Sequence, residues 1–472
     1  MQSHFLKTIT VIGGGLAGTE ASWQLAQAIE KYKLPYKVKL YEMRPKVKTP
    51  AHHTDNLAEL VCSNSLGSEF LTTARGLLIN EMQHFDSLII KSAIKAKVPA
   101  GQALAVDRDL FAQEITGSLE ANPHVEIVRD EFDEDIIEHL QKSEYIILAS
   151  GPLTSPGLAT RIQELLTKAS GTEGKQNFLY FFDAASPIVS AESINMDIAF
   201  KASRYGKGET DDYINCPFYN QEDFDNFYQA LMSAERAPLK DFEKESIKYF
   251  EGCMPIEAIA ERGQKTLSFG PLKPVGLRDP RDPDRRPVAV VQLRQDNVIG
   301  SLYNIVGFQT NLKWGEQKRV FSMIPGLEHL EIVRYGVMHQ NIFINSPQFL
   351  NENLNLKHHC EEDGLSRIYF AGQITGVEGY TESAATGIVA ARSIIAKILN
   401  TAFELPKHTM MQALVHYISH AEAKHFQPIN SNWGILNDDP QALDKALRKN
   451  KALRHEFFVN RSLSSFKELA VN

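Results

Sequence analysis

The chain has 472 residues, a formal net charge of −8, and 43% hydrophobic and 23% charged residues. The length exceeds the roughly 100 to 200 residues of one domain, and the composition excludes fibrous and disordered proteins. The apolar runs are shorter than the ~20 residues of a membrane span, and the N-terminus has no apolar signal core. We therefore expect a cytoplasmic protein of two or three domains that does not enter a membrane.

The first 45 residues have the pattern of a strand, a helix and a second strand. Residues 7–12 (KTITVI) are β-branched and apolar, a helical pattern runs to Tyr32, and residues 36–43 (YKVKLYEM) form the second strand. A GxGxxG loop lies between the first strand and the helix, and it consists of Gly13, Gly14, Gly15, Leu16, Ala17 and Gly18. Such glycines let the backbone approach a pyrophosphate at the positive end of a helix, while Glu42 would accept hydrogen bonds from a ribose. The loop therefore predicts an adenine dinucleotide site.

Strand-like runs recur at 125–128 and 145–149, and the texture changes from about residue 180 to 340, where aromatic and Pro/Gly-containing segments dominate. Residues 367–376 (RIYFAGQITG) then resume the strand-and-turn pattern. We predict an α/β fold in which an FAD-binding, Rossmann-like domain of the glutathione-reductase type spans residues 1–180 and 341–472. An α+β insertion domain, residues 181–340, interrupts it.

A second glycine-rich strand end favours FAD over NAD or S-adenosylmethionine as the dinucleotide-site ligand. It supplies four candidate cofactor-binding residues, Gly372, Gln373, Gly376 and Gly379. A small methyl donor would not need this element, whereas FAD needs protein along its span from pyrophosphate to flavin. Generic flavoproteins with two dinucleotide sites often have Asp where this chain has Gln373, so they match it imperfectly.

The four cysteines lie far apart, without a CxxC pair or a zinc spacing, so we expect reduced thiols and no structural metal. Cys62 lies in a segment rich in small polar residues (ELVCSNSLGS), and Cys253 precedes a predicted helix start (EGCMPIE). A helix N-terminus stabilises a thiolate, which makes Cys253 a candidate nucleophile. We interpret Cys216 and Cys360 as buried apolar residues.

Paired histidines at 52–53 and 358–359 have no further ligand at a useful spacing, so we interpret both pairs as surface residues and expect no metal site. His339 lies among aromatic and apolar residues (RYGVMHQN). Its imidazole is either a core residue or a flat surface on which a pterin ring could stack.

Long motifs spread over nearly the whole chain resemble the folate- and FAD-dependent tRNA uracil-5 methyltransferase family. They include GGGLAGTEASWQLA, YEMRP, ELVCSNSLGS, EGCMPIE, GPLKPVGL, VGFQTNLKWGEQKRVF, RYGVMHQN and FAGQITGVEGYTESAATG. The resemblance implies a flavoprotein that transfers a methylene group from 5,10-methylenetetrahydrofolate to C5 of a uridine in the tRNA T loop and reduces it to methyl. NAD(P)H is the expected flavin reductant, and no protein partner is required.

By this resemblance Cys253 and Cys62 are the two catalytic cysteines. A thiolate must add to C6 of uracil before C5 becomes nucleophilic, and a base must later remove the C5 proton. We assign Cys253 as the nucleophile and Cys62 as the base, and the reverse assignment stays open.

The negative net charge opposes RNA binding unless a local basic patch exists. A predicted helix over 440–457 supplies one, with Lys445, Arg448 and Lys449 on one face and Lys451 and Arg454 nearby. Its basic face either binds tRNA or is simply solvated.

Two alternative functions remain at this point. A longer FAD protein that modifies the tRNA wobble uridine resembles the N-terminal part of the chain, and it carries an extra C-terminal helical domain. An FAD/NAD-dependent oxidoreductase of a small molecule would also use a dinucleotide loop and dispersed cysteines.

Overall fold

A computed structural model describes residues 6–49, 51–170, 178–206, 212–238, 254–357, 364–436, 447 and 449–469. The strands are β1 (Lys7–Ile12), β2 (Tyr36–Tyr41), β3 (Ser65–Ser68), β4 (Lys97–Val98), β5 (Ala103–Val106), β6 (Val125–Val128), β7 (Tyr145–Leu148), β8 (Phe178–Ala184), β9 (Ile188–Ser190), β10 (Phe200–Lys201), β11 (Tyr213–Phe218), β12 (Ala289–Gln295), β13 (Leu302–Ile305), β14 (Ile332–Arg334), β15 (Met338–Ile344) and β16 (Ile368–Phe370). The α-helices are α1 (Leu16–Tyr32), α2 (Ala74–Gln83), α3 (Leu88–Lys95), α4 (Arg108–Glu120), α5 (Ile136–His139), α6 (Pro156–Ser170), α7 (Gln221–Ser233), α8 (Ile256–Glu261), α9 (Gln264–Phe269), α10 (Trp314–Phe321), α11 (Ser346–Phe349), α12 (Tyr380–Leu399), α13 (Met410–His420) and α14 (Lys451–Leu469).

A parallel sheet of order β16-β7-β1-β2-β6 forms the centre of the first domain. Its strands are apolar because both faces are covered. On one face, Ile9 and Val11 pack in a core that includes residues of α1 and α12, and on the other, Ile146 and Leu148 pack against α6. The predicted α/β class is confirmed, and the strands predicted at 7–12 and 125–128 are observed with the same bounds.

Helices α1 and α12 pack very closely. A Cβ atom added at Gly387 of α12 would lie only 2.3 Å from the backbone oxygen of Ala17. The small residues of α12 that the sequence shows therefore serve this helix contact. A Cβ atom added at Gly372 would lie 2.9 Å from the Ala17 Cβ, so the two glycine-rich segments converge at the start of α1.

A second sheet, of order β10-β11-β12-β13-β9-β14, has a hydrophobic core of its own. Its pairings are antiparallel, and its strands all come from the stretch between Ile188 and Arg334. The two-stranded ribbon of β8 and β15 links this sheet to the first domain. The predicted boundaries at 180/181 and 340/341 fall within β8 and β15.

The final helix differs from the sequence prediction, which ended it at residue 457. Helix α14 continues to Leu469 because one side of it packs on the first domain, with Phe458 and Phe466 in the core. The Phe466 ring also stacks on His84 of the α2 end, with ring centroids 4.6 Å apart. Among the described helices, none is both long and apolar enough to cross a membrane.

Candidate cofactor and active site

A cavity with an empty volume of about 1010 Å³ opens at the carboxyl ends of β1, β2, β7 and β16. This is the edge at which open parallel sheets bind ligands. Its wall is formed by Ile12–Ala17, Tyr41–Arg44, His52, Glu59, Val61, Asp130–Phe132, Ala149–Ser155, Leu158, Gly372, Gln373, Tyr380 and Ser383. The structure thus brings residues 13–17 of the predicted loop, Glu42 and the Gly372-Gln373 pair to one cavity.

Three glycines of the first loop lie where the structure explains the lack of a side chain. A Cβ at Gly13, whose φ is +111°, would lie 2.3 Å from the Ala149 oxygen, and a Cβ at Gly18 would lie 1.8 Å from the Gly13 oxygen. These two positions let the helix pack tightly on the sheet. A Cβ at Gly15 would meet nothing within 4 Å, because it would project into the cavity.

The space in front of α1 suits a pyrophosphate. Gly15 is the N-cap residue of α1, and it has no side chain that could accept a hydrogen bond from the N–H groups of the first turn. The first N–H groups of a helix have no partner within the helix, and they carry the positive end of its dipole. A dianionic pyrophosphate would therefore fill the open volume at Gly15 and accept these hydrogen bonds, so the residues present fit the expected FAD.

Glu42 is buried and fixed at the end of β2. Its Oε2 accepts a hydrogen bond from Gly14 N at 3.1 Å, and its Oε1 accepts from the Arg44 guanidinium Nε at 2.8 Å. Burial alone would raise the pKa of Glu42, but the hydrogen bonds and charge of Arg44 outweigh it and hold the pKa below its usual range. Glu42 is therefore a carboxylate, with lone pairs left for a ribose.

Arg44 is the main cavity residue that the sequence reasoning missed. Its side chain is only 2% exposed, and it also donates from Nη1 to Glu59 Oε2 at 3.0 Å. One buried guanidinium between two carboxylates leaves a net negative charge beside the cavity. The sequence signal for Arg44 was its position two residues after Glu42 in the YEMRP motif, because a buried carboxylate needs a partner of opposite charge.

Two further parts of the wall were also missed. His52 is partly exposed and lines the cavity, with its Nδ1 2.6 Å from Thr49 Oγ1, whereas His53 is exposed, as expected for a surface residue. The segment 149–155 after β7 lines the cavity too. In the sequence, Ser150-Gly151-Pro152 indicated only that a strand ends there. Whether the loop after a strand faces a ligand depends on which strands lie beside it in the sheet.

Some residues of the second glycine-rich segment line the cavity, and others only pack against neighbouring side chains. Gly372 and Gln373 line the cavity, whereas Gly376 and Gly379 are not among its lining residues. A Cβ at Gly376 would lie 2.6 Å from the Phe426 ring, and one at Gly379 would lie 2.2 Å from Glu382 Oε2. These contacts explain both glycines without a ligand, so their predicted cofactor contacts stay predictions.

Cys62 adjoins the cavity wall through Tyr380. Tyr380 lines the cavity, and its hydroxyl accepts hydrogen bonds from Cys62 N at 2.9 Å and Ser63 N at 3.2 Å. The Cys62 thiol is half-buried, and its Sγ lies 3.7 Å from the Ala184 oxygen at the end of β8. The thiol is thus held between the first domain and the β8–β15 ribbon.

Arg108 holds the backbone of the Cys62 segment by hydrogen bonds. Its guanidinium donates to the carbonyl oxygens of Leu60 at 2.5 Å and Cys62 at 3.2 Å, and Nε lies 3.1 Å from Asp296 Oδ1. Asp296 follows β12, so this buried ion pair joins the second sheet to the first domain. Burial would lower the pKa of Arg108, but Asp296 and the other nearby groups raise it, and the guanidinium stays charged.

A second polar link lies beside this ion pair. Asn64 Nδ2 donates to the Gln295 oxygen at 2.9 Å, and its Oδ1 accepts from Arg294 Nε at 2.9 Å. Both side chains are buried. The segment that carries Cys62 is therefore held from both domains.

The structure locates only some of the remaining predicted residues. His339 lies on β15, where it pairs with Asp183 of β8. The next pair along the ribbon is Met338–Ala184, and the Ala184 oxygen contacts the Cys62 thiol. The backbone of His339 is thus near Cys62. Cys253 lies outside the described residues, but the helix predicted just after it is observed as α8, with Pro255 as N-cap.

The other predicted residues either are not among the cavity-lining residues or lie outside the part of the chain that the structure describes. Lys449 is exposed shortly before α14, and Lys445 and Arg448 lie outside the described residues. Cys216 is fully buried in the second core, which confirms its interpretation as an apolar residue, and burial raises the pKa of its thiol. Cys360 lies outside the described residues.

Comparison with known proteins gives a family and a fold. Residues 8–402 match the family model described as glucose inhibited division protein A. A Brevibacillus brevis protein named methylenetetrahydrofolate–tRNA-(uracil-5-)-methyltransferase TrmFO is 52% identical over 462 residues, covering 97% of each chain. A Staphylococcus epidermidis protein of the same name is 52% identical over 457 residues, covering 96% of this chain and 97% of that protein.

A crystal structure of Aquifex aeolicus GidA shares the fold. Its TM-score is 0.65 at 14% sequence identity, and the match covers 100% of this chain and 75% of that one. A second crystal form of the same protein gives a TM-score of 0.62. This likeness confirms the predicted fold class.

Proposed function

Because the chain belongs to the methylenetetrahydrofolate–tRNA-(uracil-5-)-methyltransferase family, we propose that it methylates C5 of a uridine in the T loop of tRNA. The carbon comes from 5,10-methylenetetrahydrofolate. The observation that carries this proposal is the half-buried Cys62 thiol, held at the wall of a cavity that has the form of a dinucleotide site. A binding protein would not need a thiol fixed at that position.

The first domain would hold FAD. The start of α1 and Gly15 would bind the pyrophosphate, Glu42 the ribose, and Gly372 with Gln373 the part nearer the flavin. When bound, FAD supplies the hydride equivalent that reduces the transferred methylene to methyl, and NAD(P)H is the proposed source of electrons. The low pKa of Glu42 keeps it a hydrogen-bond acceptor for the ribose hydroxyls.

In this proposal the two cysteines carry out different steps at the uracil ring. The Cys253 thiolate adds to C6, which makes C5 nucleophilic towards the folate methylene carbon. Cys62 then takes the C5 proton, and the Cys253 sulfur leaves C6 as the double bond re-forms. The bond between the methylene carbon and the folate nitrogen breaks as the carbon is reduced to methyl, and tetrahydrofolate is released. Tyr380 and Arg108 hold the Cys62 backbone, and His339 is the proposed stacking surface for the pterin ring.

The tRNA would contact the region before and within α14. Lys445, Arg448 and Lys449, with Lys451 and Arg454, would approach phosphates and release counterions. Neutralising all five should weaken tRNA binding and reduce its salt dependence, while the flavin spectrum stays unchanged. An unchanged salt dependence would favour a solvated helix face instead.

A labelled-carbon assay tests the reaction. Purified protein, NADPH and unmodified tRNA are incubated with methylenetetrahydrofolate labelled in the methylene carbon, and nucleosides are separated. We expect the label in 5-methyluridine from the T loop. Label from S-adenosylmethionine, label at the wobble uridine, or oxidation of NADPH without any labelled nucleoside would each contradict the proposal.

A matched pair of glycine variants tests the cofactor site. Gly15→Val would fill the open space in front of α1, so the protein should fold but lose FAD. Gly117 of α4 is exposed and also has nothing within 4 Å of an added Cβ, so Gly117→Val is a control with the same substitution. Flavin absorbance per protein measures the difference. Full flavin content in Gly15→Val would contradict the placement.

A further inference from the structure

Two histidines of α13 and one glutamate form a cluster outside the cofactor cavity. His416 and His420 are four residues apart, so they lie on the same side of the helix. Glu352 comes from the segment between α11 and β16, 64 residues before His416. None of the three lines the cofactor cavity.

The three side chains converge on a small volume. The two imidazole rings are stacked, with centroids 4.5 Å apart and planes 15° apart. One carboxylate oxygen, Glu352 Oε1, lies 3.1 Å from His416 Nδ1 and 3.6 Å from His420 Nδ1. One ligand atom from each residue lies within 4.8 Å of the others.

We propose that Glu352, His416 and His420 bind one divalent transition-metal ion of the zinc, nickel or copper class. Metal–nitrogen distances of about 2.0–2.1 Å in a tetrahedral site place neighbouring ligand atoms roughly 3.3 Å apart. The two carboxylate–imidazole separations are close to this value. The stacked imidazole rings would have to rotate so that one nitrogen of each points at the ion. Two imidazoles with a single carboxylate favour these metals over magnesium or calcium, which prefer oxygen ligands.

The side chains are exposed enough for an ion to enter, since His416 is 41% and Glu352 55% exposed. Three protein ligands leave the remaining positions to water. The bound ion would cross-link α13 to the segment that leads into β16, where Asn355 forms a bridge with Tyr369. We infer a structural cross-link of the first domain, independent of the methylation chemistry.

The sequence did not reveal this site because its third ligand is distant in the chain. The His-x-x-x-His spacing of residues 416–420 was a usable signal for two ligands on one helix side. Glu352 becomes the third ligand only when the fold places its segment beside α13.

Metal titration of the full-length, FAD-bound protein tests the proposal. The protein is treated with a chelator, desalted and titrated calorimetrically with Zn²⁺, and the H416A/H420A and E352Q variants are treated identically. His124→Ala is the matched control, since His124 Nε2 forms a similar imidazole–carboxylate pair with Glu30 at 2.7 Å. All variants keep the four cysteines, so zinc binding by thiols contributes equally to each.

We expect one Zn²⁺ site in the wild type and in His124→Ala that H416A/H420A lacks. E352Q should bind at least tenfold more weakly, and Mg²⁺ should not compete. Flavin absorbance and the metal-free melting temperature should match in all variants, which excludes misfolding. Copper bound at the same site should show two nitrogen ligands by electron paramagnetic resonance.

Equal zinc stoichiometry and affinity in the wild type and H416A/H420A would overturn the proposal. So would an equal loss in His124→Ala, effective competition by Mg²⁺, or a copper spectrum with fewer than two nitrogen ligands. None of these results depends on the methylation activity, so the proposed function would be unaffected.

Discussion

Replacing Asp296 by asparagine should reveal how strongly the two domains hold the Cys62 segment. Asparagine has nearly the same shape as aspartate but no charge. Arg108 would then stay buried without its counter-ion, while its hydrogen bonds to the oxygens of Leu60 and Cys62 remain available. The substitution therefore removes the ion pair and leaves the rest of the contact in place.

The structure sets the expected cost. The side chains of Arg108 and Asp296 are only 7% and 5% exposed, so solvent screens their interaction little. Removing one partner of a buried ion pair costs about 3–5 kcal/mol, because the other charge stays uncompensated. Because the two carbonyl oxygens still accept from Arg108, we expect Asp296→Asn to lower the free energy of unfolding by about 3 kcal/mol, the lower end of that range.

Urea unfolding followed by circular dichroism measures this change, and Glu144→Gln is the control. Glu144 pairs with Lys7 at 3.4 Å, with side chains 34% and 53% exposed, so its loss should cost less than about 1 kcal/mol. Methylation should also fall in Asp296→Asn, with FAD content unchanged. Equal urea midpoints for Asp296→Asn and Glu144→Gln would refute the reasoning.

A double variant separates stability from positioning. Arg108→Met with Asp296→Leu replaces the pair by apolar groups, which should recover much of the lost stability. Methionine cannot donate to the Leu60 and Cys62 oxygens, so methylation should stay low. Recovery of both stability and activity would show that Arg108 does not position Cys62.

Three further substitutions give distinct outcomes. Burial raises the pKa of Glu81 to about 7, so between pH 4.5 and 7 the folded state binds more protons than the unfolded state. The free energy of unfolding therefore falls as pH rises through this range. Glu81→Gln should remove this pH dependence when unfolding is measured across the same range. Tyr380→Phe deletes the acceptor for Cys62 N, so methylation should fall while flavin absorbance stays near normal, and unchanged turnover would contradict the positioning role. Gly387→Ala places a Cβ 2.3 Å from the backbone of α1 and should cost about 1–3 kcal/mol, whereas Gly117→Ala on α4 should be neutral or stabilising; equal melting temperatures would contradict the close helix contact.

The sequence by itself determined the local parts of the nucleotide site. The apolar strand at 7–12, the glycine loop, helix α1 and Glu42 follow one another in 36 residues, from Lys7 to Glu42. Such a unit is specified by short-range rules: a period of two in strands, 3.6 in helices, and glycine where a side chain would collide. The structure confirms these elements with little change in their bounds.

The end of the chain shows where local rules were insufficient. The prediction stopped the last helix at residue 457, and the structure continues it to Leu469. Ser462 donates from its hydroxyl to Glu81 Oε1 at 2.7 Å, and Phe466 is buried against the first domain. The helix is thus stabilised by groups nearly 400 residues away in sequence, 381 in the case of Ser462 and Glu81.

Only the tertiary structure decided what surrounds the Cys62 thiol. Cys62 and Tyr380 are 318 residues apart, and Arg108 and Asp296 are 188 apart, yet both pairs make direct hydrogen bonds. No spacing rule connects such residues, because their proximity depends on how α12 packs on α1 and how the second sheet docks on the first domain. Sequence motifs made Cys62 a candidate catalytic residue, whereas long-range packing determined which side chains hold it and which cavity it adjoins.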